Sequence, residues 1–228
     1  MKRSEINAEI MAAQTLFADH GIHLPPFAAW SPSDWAARGP EADEIRDNGL
    51  GWDVTDFGSG DFAGFGLLLF TLRNGNALEP EKYPKTYCEK IMVVREDQIT
   101  PTHFHWKKTE DIINRGGGAL VIELFGSTPE ETLAEEAFTV SVDGVTRTCN
   151  RGDTVILKPG ESICLEPYVY HKFYGLKGRG PVVVGEVSAV NDDNKDNRFL
   201  EPLGRFPEIE EDEPPLHLLC TEYPPAAH

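Results

Sequence analysis

Two histidines separated by one residue form the part of this sequence best suited to bind a metal ion. His103 and His105 flank Phe104, and Glu110 follows five positions after the second histidine, ahead of a run of three glycines. On a strand, residues two apart point to the same side of the sheet, so we expect both imidazoles to face inward and Phe104 outward. A short turn after His105 would return the Glu110 carboxylate to the same point. Two imidazoles and a carboxylate suit Mn²⁺, Fe²⁺ or Zn²⁺.

The positions of the other histidines indicate a fourth ligand. His20 and His23 lie in a segment that we expect to be helical, and His217 and His228 lie in the tail, whereas His171 begins a predicted strand. We therefore expect His171 to complete the set. Taken separately, a histidine pair on a strand or a histidine at a strand end can equally be an ordinary hydrogen-bonded polar residue. The combination of the four ligands favours a metal site.

Composition restricts the kinds of partner. The chain has 228 residues, of which 40% are hydrophobic, and its formal net charge of −17 disfavours binding to nucleic acid or to anionic membranes. The opening MKRSEINAEI has no apolar signal core, and no apolar run approaches the length of about 18 residues that a membrane span requires. The four cysteines form no CxxC pair, and Cys88 and Cys164 lie in apolar runs. We expect buried thiols and a cytoplasmic protein.

The first fifty residues have a helical pattern. Apolar residues at intervals of three and four predict an amphipathic helix over residues 4–20, with Ser4 as its cap and Gly21 as its end. A second short helix is predicted in SPSDWAARG, where Ser31 is the cap, and another helical turn over residues 40–47. We expect these helices to pack on the outside of the rest of the chain.

From Trp52 onward about eight short apolar runs alternate with turn residues such as those at 142–145. Strands without intervening helices indicate an all-β fold, as an antiparallel barrel or a double sheet. We predict a single domain over residues 1–228, in which a helical segment (1–50) precedes the barrel (51–205). An acidic, proline-flanked tail (206–228) would then lie in solvent.

Two stretches resemble the motifs of the cupin superfamily. HFHWKKTEDIINRGG is similar to the first motif, and GDTVILKPGESICLEPYVYH to the second, which departs from the common pattern in having PG in place of PxG and Tyr174 in place of an asparagine. Neither departure touches a predicted ligand. The resemblance implies a cupin-type antiparallel β-barrel, also described as a double-stranded β-helix or jelly roll, with N-terminal helices packed outside.

The sequence around these motifs resembles the D-lyxose isomerase family. The likeness is carried by KTYCEKIMVVREDQITPTHFHWKKTEDIINRGGG and GEVSAVNDDNKDNRF, and extends from the opening MKRSEIN to the closing CTEYP. It implies an enzyme that interconverts D-lyxose and D-xylulose, and often D-mannose and D-fructose. It also implies a homodimer that uses a divalent metal, typically Mn²⁺, with Zn²⁺, Co²⁺ or Fe²⁺ as alternatives. The ligands by resemblance are His103, His105, Glu110 and His171.

Isomerisation of an aldose needs a group that moves a proton, and two ionisable residues on apolar strands are candidates. Glu186 lies among valines and shares a face with Val184, so it should point inward and carry a proton between C2 and C1 through a cis-enediol. Lys90 shares a face with Met92 and could assist at a sugar oxygen. Alternatively, Glu186 is an exposed strand carboxylate, Lys90 is a solvated lysine, or a hydride shifts instead of a proton.

Four further residues are candidates for binding the sugar. Asp193 and Arg198 belong to a polar cluster with Asp192 and Asp196 that directly follows the Glu186 strand. This cluster could bind sugar hydroxyls or form a structural loop network. Lys108 could reach the sugar or lie on the surface, and Trp106 could form a wall for the sugar or belong to the core.

Two other functions suit the same ligands. Three histidines and one glutamate also hold Fe²⁺ in cupin dioxygenases, and some cupins bind a sugar without turning it over. Oxygen consumption would indicate the first, and binding of sugar without ketose formation the second.

Overall fold

The computed structural model describes residues 1–193 and 195–227, so Asn194 in the polar cluster and His228 at the end of the tail lie outside it. Within that part of the chain, three α-helices precede thirteen strands. The helices are α1 (Arg3–Asp19), α2 (Pro32–Ala36) and α3 (Asp43–Asp47), with 3₁₀ turns at Pro26–Ala29 and Pro40–Ala42. The strands are β1 (Gly51–Thr55), β2 (Leu67–Arg73), β3 (Tyr87–Val94), β4 (Thr100–Phe104), β5 (Glu110–Gly117), β6 (Leu120–Phe125), β7 (Phe138–Val142), β8 (Val145–Cys149), β9 (Asp153–Leu157), β10 (Ser162–Leu165), β11 (Tyr170–Gly175), β12 (Val182–Ala189) and β13 (Arg198–Phe199).

The strands form two antiparallel sheets. The larger has the order β1-β2-β3-β12-β5-β10-β7-β8, and the smaller has the order β13-β4-β11-β6-β9. The predicted all-β, cupin-type jelly roll is confirmed, as two facing sheets rather than a closed ring. The larger sheet places β12 between β3 and β5, which brings three segments far apart in sequence side by side.

Strand alternation separates two apolar cores. Leu67 and Leu69 of β2 point between the sheets, whereas Leu68 and Phe70 point outward to a second core. The buried face of α1 covers this outer core, as predicted, through Ile6, Ile10, Ala13 and Phe17. None of the helices in the described ranges has the length and apolar character needed to cross a bilayer.

Two details of the termini differ from the predictions. Ser4 lies inside α1 and does not cap it. Its backbone N–H and its hydroxyl donate to the carboxylate of Asp212, at 2.9 and 2.6 Å, so the tail supplies the acceptor for this first turn. The acidic tail is exposed but not free in solvent, because Arg3 is buried and forms ion pairs with Glu211 and Glu222.

Other local predictions are confirmed. Ser31 caps α2 in a capping box with Asp34, and the turn between β7 and β8 has positive φ at Asp143 and Gly144. The strand β5 does not stand out in the sequence as an apolar run, because its residues combine charged, polar and glycine positions.

Candidate active site

Strand register brings the four predicted ligands together at one end of the inter-sheet core. His103 on β4 is paired with His171 on β11, and their ring centroids are 4.3 Å apart. His105 directly follows β4, and the three imidazoles offer nitrogen atoms that all lie within 4.8 Å of one another. Glu110 begins β5 in the facing sheet, and its Oε1 and Oε2 lie 3.1 and 3.5 Å from Nε2 of His171 and His105.

Backbone carbonyls orient all three imidazoles in the same way. The Nδ1 atoms of His103, His105 and His171 lie 2.7, 2.5 and 3.0 Å from the carbonyl oxygens of Pro101, Asp196 and Val169. A carbonyl only accepts, so each Nδ1 carries the proton and donates it. In the neutral ring each Nε2 is then the unprotonated nitrogen, and this is the tautomer that binds a metal through Nε2.

The chemistry of this donor set fits a divalent cation. Nε2 of His171 is buried and has no hydrogen-bond donor among the described residues, and its neighbour at 3.1 Å, Oε1 of Glu110, is itself an acceptor. Burial, aided by the two neighbouring imidazoles, lowers the pKa of His103 well below its usual value, so this ring is neutral. Burial alone would raise the pKa of Glu110, but Lys108 and His105 outweigh it and hold that pKa well below its usual range. Neutral imidazoles and one carboxylate are ligands for Mn²⁺, Fe²⁺ or Zn²⁺.

Two lysines contact Glu186, and one of them, Lys108, connects it to this cluster. Glu186 on β12 is directly paired with Lys90 on β3, so both side chains point into the same cavity. Nζ of Lys90 lies 3.4 Å from Oε2 of Glu186. Nζ of Lys108 lies 2.8 Å from Oε2 of Glu110 and 2.9 Å from Oε1 of Glu186. Glu186 is thus separated from the candidate ligand Glu110 by a single ammonium group.

These contacts set the charge of the cavity. Burial alone would raise the pKa of Glu186, yet Lys108 and Lys90 outweigh it and hold that pKa below the ordinary value. The carboxylates in turn raise the pKa of both lysines, against the effect of burial. At neutral pH Glu186 is therefore an ionised carboxylate, as a general base must be, and both lysines are protonated.

Asp193 lines the cavity as well, together with an arginine that the sequence prediction missed. Oδ1 of Asp193 lies 3.8 Å from Nζ of Lys90, and Oδ2 lies 3.5 Å from Nη2 of Arg205. Arg205 also pairs with Asp53 at 2.5 Å, and its buried Nη1 has no hydrogen-bond partner within the described ranges. A signal was present, because Asp53 interrupts the buried strand β1 as Glu186 interrupts β12.

Two of the residues predicted to bind substrate are not brought to the cavity. Trp106 and Arg198 both contact Glu131 on the other side of the small sheet, through Nε1 at 2.7 Å and Nε at 2.9 Å. Phe104 points outward as expected, but it is fully buried against Trp106 and Tyr170. Alternation explains this arrangement, because Arg198 is paired with Phe104 and therefore lies on the outer face.

Asp196 has a structural role in the loop network. Its carboxylate accepts from the backbone N–H groups of Lys107 and Lys108, both at 3.0 Å, while its carbonyl accepts from His105. The segment after β12 therefore fixes the link between β4 and β5. This supports the structural interpretation for Asp196 and leaves Asp193 as the aspartate of the cluster that faces the cavity.

Comparisons with known proteins show the family of this chain. The D-lyxose isomerase family matches residues 1–223. A D-lyxose/D-mannose isomerase of Serratia proteamaculans is 54% identical over 224 residues, which are 98% of this chain and 98% of that protein. A D-lyxose/D-mannose isomerase of Escherichia coli O157:H7 is 52% identical over 224 residues, with the same coverage of 98% of each chain.

Among solved structures, the L-ribose isomerase of Acinetobacter sp. DL28 in complex with L-ribose is similar in fold. It has a TM-score of 0.59 at 16% identity, and the match covers 91% of this chain and 98% of that chain. At this identity the likeness concerns the fold alone. It agrees with the two-sheet architecture observed here.

Proposed function

The chain belongs to the D-lyxose isomerase family, and from that premise we propose that it interconverts D-lyxose with D-xylulose and D-mannose with D-fructose. It is an aldose–ketose isomerase, and we place its reaction in the cavity between the two sheets. One observation carries the proposal. An ionised Glu186, held by Lys90 and Lys108, lines the same cavity as Glu110 and two of the three clustered histidines, His103 and His105.

The reaction moves one hydrogen from C2 to C1 while a carbonyl moves from C1 to C2. We propose His103, His105, Glu110 and His171 as the residues that hold a divalent ion, for which the resemblance favours Mn²⁺. When bound, such an ion supplies Lewis acidity that polarises the sugar oxygens.

Glu186 is proposed as the base. It removes the proton from C2, which leaves a cis-enediolate that becomes the cis-enediol when O1 gains a proton. It then returns the proton to C1 from the same side, while the hydroxyl on O2 loses its proton and the carbonyl forms at C2. Its position supports this role, because Lys108 contacts both Glu186 and Glu110 and so holds the Glu186 carboxylate next to a proposed metal ligand. Lys90 and Lys108 place positive charge where negative charge develops on the sugar oxygens.

The rest of the cavity would orient the open sugar chain. Asp193 can accept hydrogen bonds from hydroxyl groups, and the unpartnered Nη1 of Arg205 can donate one. Apolar walls would exclude water from the reacting carbons. They are formed by Phe57, Leu67, Leu69, Met92, Ile112, Phe173 and Phe199.

The resemblance further supports a homodimer in the cytoplasm, which is proposed here with the activity. Size-exclusion chromatography with light scattering tests the dimer. A mass of one chain, 25.3 kDa, would contradict it.

The activity is tested with protein reconstituted with Mn²⁺ and a panel of pentoses and hexoses. We expect ketose from D-lyxose and from D-mannose, with no consumption of oxygen. Sugar binding without ketose would instead indicate a non-catalytic cupin, and oxygen uptake would indicate a dioxygenase. Either result would refute the isomerase proposal.

A further inference from the structure

Asn191 contacts both lysines of the cavity through a single atom. Its Oδ1 accepts from Nζ of Lys90 at 2.9 Å and from Nζ of Lys108 at 3.2 Å. An ammonium group has three N–H donors. For Lys108 these donors are taken by Glu110, Glu186 and Asn191. The amide oxygen of Asn191 is thus the neutral acceptor of Lys108, and the other two acceptors are carboxylates.

Asn191 is itself held by a second amide outside the cavity. The carboxamide of Asn74 accepts from the backbone N–H of Asn191 at 3.0 Å and donates to its carbonyl at 2.9 Å. The same Nδ2 lies 3.3 Å from the carbonyl of Asn48. These two hydrogen bonds fix the backbone of Asn191, which lies just beyond the end of β12. Asn74, which makes both of them, lies just beyond the end of β2.

The loop that carries Asn74 is packed too closely for any residue but glycine at the next position. A Cβ on Gly75 would lie 1.9 Å from the carbonyl oxygen of Lys85 and 2.8 Å from Cγ2 of Val190. Since Val190 precedes Asn191, this contact and the two hydrogen bonds of Asn74 fix the same stretch of chain.

We propose that Asn191 is a positioning residue, which aims Lys90 and Lys108 at Glu186, and that Asn74 acts through it. The inference rests on the proposed isomerase function. Without the amide oxygen, one N–H of each buried ammonium would lose its partner, and both lysines would turn toward the carboxylates. Glu186 and the ammonium groups of Lys90 and Lys108 would then no longer have the relative positions that the reaction needs. Asn191 and Asn74 would cause this without lining the cavity themselves.

The test uses Asn74→Asp in the full chain loaded with Mn²⁺. The carboxylate keeps the size of the side chain but cannot donate, so it loses the hydrogen bonds to the carbonyls of Asn191 and Asn48. Because a displacement of about 1 Å can cost about a hundredfold in rate, we expect kcat on D-lyxose to fall at least tenfold. KM and the bound Mn²⁺ should stay within twofold, since the four ligands are untouched.

Asn76→Asp is the matched control. Asn76 lies in the same loop and donates to the side chain of Asn48 and the carbonyl of Asp47, with no contact to Asn191. We expect its kcat to stay within twofold of the wild-type value. A purely structural role for Asn74 would lower the melting temperature and leave kcat of the folded protein unchanged.

A crystal structure of Asn74→Asp gives a readout that does not depend on turnover. We expect both lysine nitrogens to lie more than 3.5 Å from Oδ1 of Asn191. Retention of both hydrogen bonds, or an unchanged kcat, would overturn the inference. If Asn74→Asp does not fold, Asn191→Ala takes its place, and a kcat within twofold of wild type overturns the inference in the same way.

The activity of the wild-type protein distinguishes failure of the proposed isomerase function from failure of the proposed positioning role of Asn191. Wild-type protein that forms no ketose refutes the proposed function, and the crystallographic distances then still decide the positioning. Active wild-type protein with fully active variants refutes the positioning alone.

Discussion

Replacing Glu186 with glutamine removes one negative charge from the cavity and preserves the shape of the side chain. Nζ of Lys108 lies 2.9 Å from Oε1 of Glu186, and Nζ of Lys90 lies 3.4 Å from Oε2. At an effective dielectric constant of about 20, each contact corresponds to a Coulomb attraction of about 5–6 kcal/mol. Desolvation of the buried charges cancels most of this.

The net effect on stability should be modest. The amide oxygen of glutamine still accepts from Lys108, so the lost contribution is that of a charged hydrogen bond, about 1–3 kcal/mol. Against a total of about 5–15 kcal/mol for a folded domain, the variant should remain folded. The effect on the reaction is larger, because a general base contributes about 10²- to 10⁴-fold in rate, which equals about 3–5 kcal/mol of activation free energy.

The assay measures ketose formed from D-lyxose under saturating substrate, alongside metal content and the free energy of unfolding in urea. The matched control is Glu123→Gln, because Glu123 also pairs with a lysine, at 2.8 Å from Nζ of Lys172, but lies partly exposed outside the cavity. We expect the control to keep its kcat within twofold. If Glu186→Gln retains both its metal and more than a third of the wild-type kcat, Glu186 is not the base.

Three further predictions test other parts of the structure. His171→Ala removes a proposed ligand whose buried Nε2 lies 3.1 Å from Oε1 of Glu110, so it should lose bound Mn²⁺ on dialysis together with the activity; full metal occupancy would contradict the ligand assignment. Burial raises the pKa of the Cys88 thiol to about 12 and that of Cys164 to about 11, so the native protein should react with a thiol reagent at pH 8 far more slowly than the unfolded chain, and rapid labelling of native Cys88 would contradict this. Burial would raise the pKa of Asp193, but Lys90 and Arg205 outweigh it and lower that pKa. The stability that the ionised Asp193 contributes is therefore present above its unfolded pKa of about 3.9, and it is lost as the pH falls toward the lower pKa of the folded state. In urea titrations below pH 5, wild type should therefore lose stability more steeply than Asp193→Asn, by up to about 1.4 kcal/mol per pH unit, and equal slopes would refute the assignment.

Local periodicity was sufficient to predict much of the fold and the candidate ligands. The alternation of strand residues placed His103 and His105 on one side and Phe104 on the other, and the helical spacing placed α1 outside the sheets. Both patterns depend on neighbours in sequence, which is why a single chain reveals them.

Contacts between distant segments could not be predicted in this way. The pairing of Glu186 with Lys90 requires β12 to enter the sheet beside β3, which no local pattern specifies. Asp53 and Arg205 are 152 positions apart, so their ion pair was not anticipated. The capping of α1 by the tail residue Asp212 was missed for the same reason.

Proximity in sequence was also a poor guide to the cavity. Trp106 follows the second histidine directly, and Arg198 lies in the polar cluster, yet both contact Glu131 on the outer side. On β13 it is Phe199, paired with His103, that faces the cavity. A prediction of β13 as a strand would have shown this, but two residues are too few for a periodic signal.

The most direct test of the proposed reaction is to follow D-lyxose by NMR in D₂O with the protein loaded with Mn²⁺. Proton transfer by a carboxylate exchanges its proton with solvent, so we predict D-xylulose that carries deuterium at C1. D-xylulose formed with no deuterium at C1, under conditions of slow turnover, would contradict proton transfer by Glu186 and indicate a hydride shift.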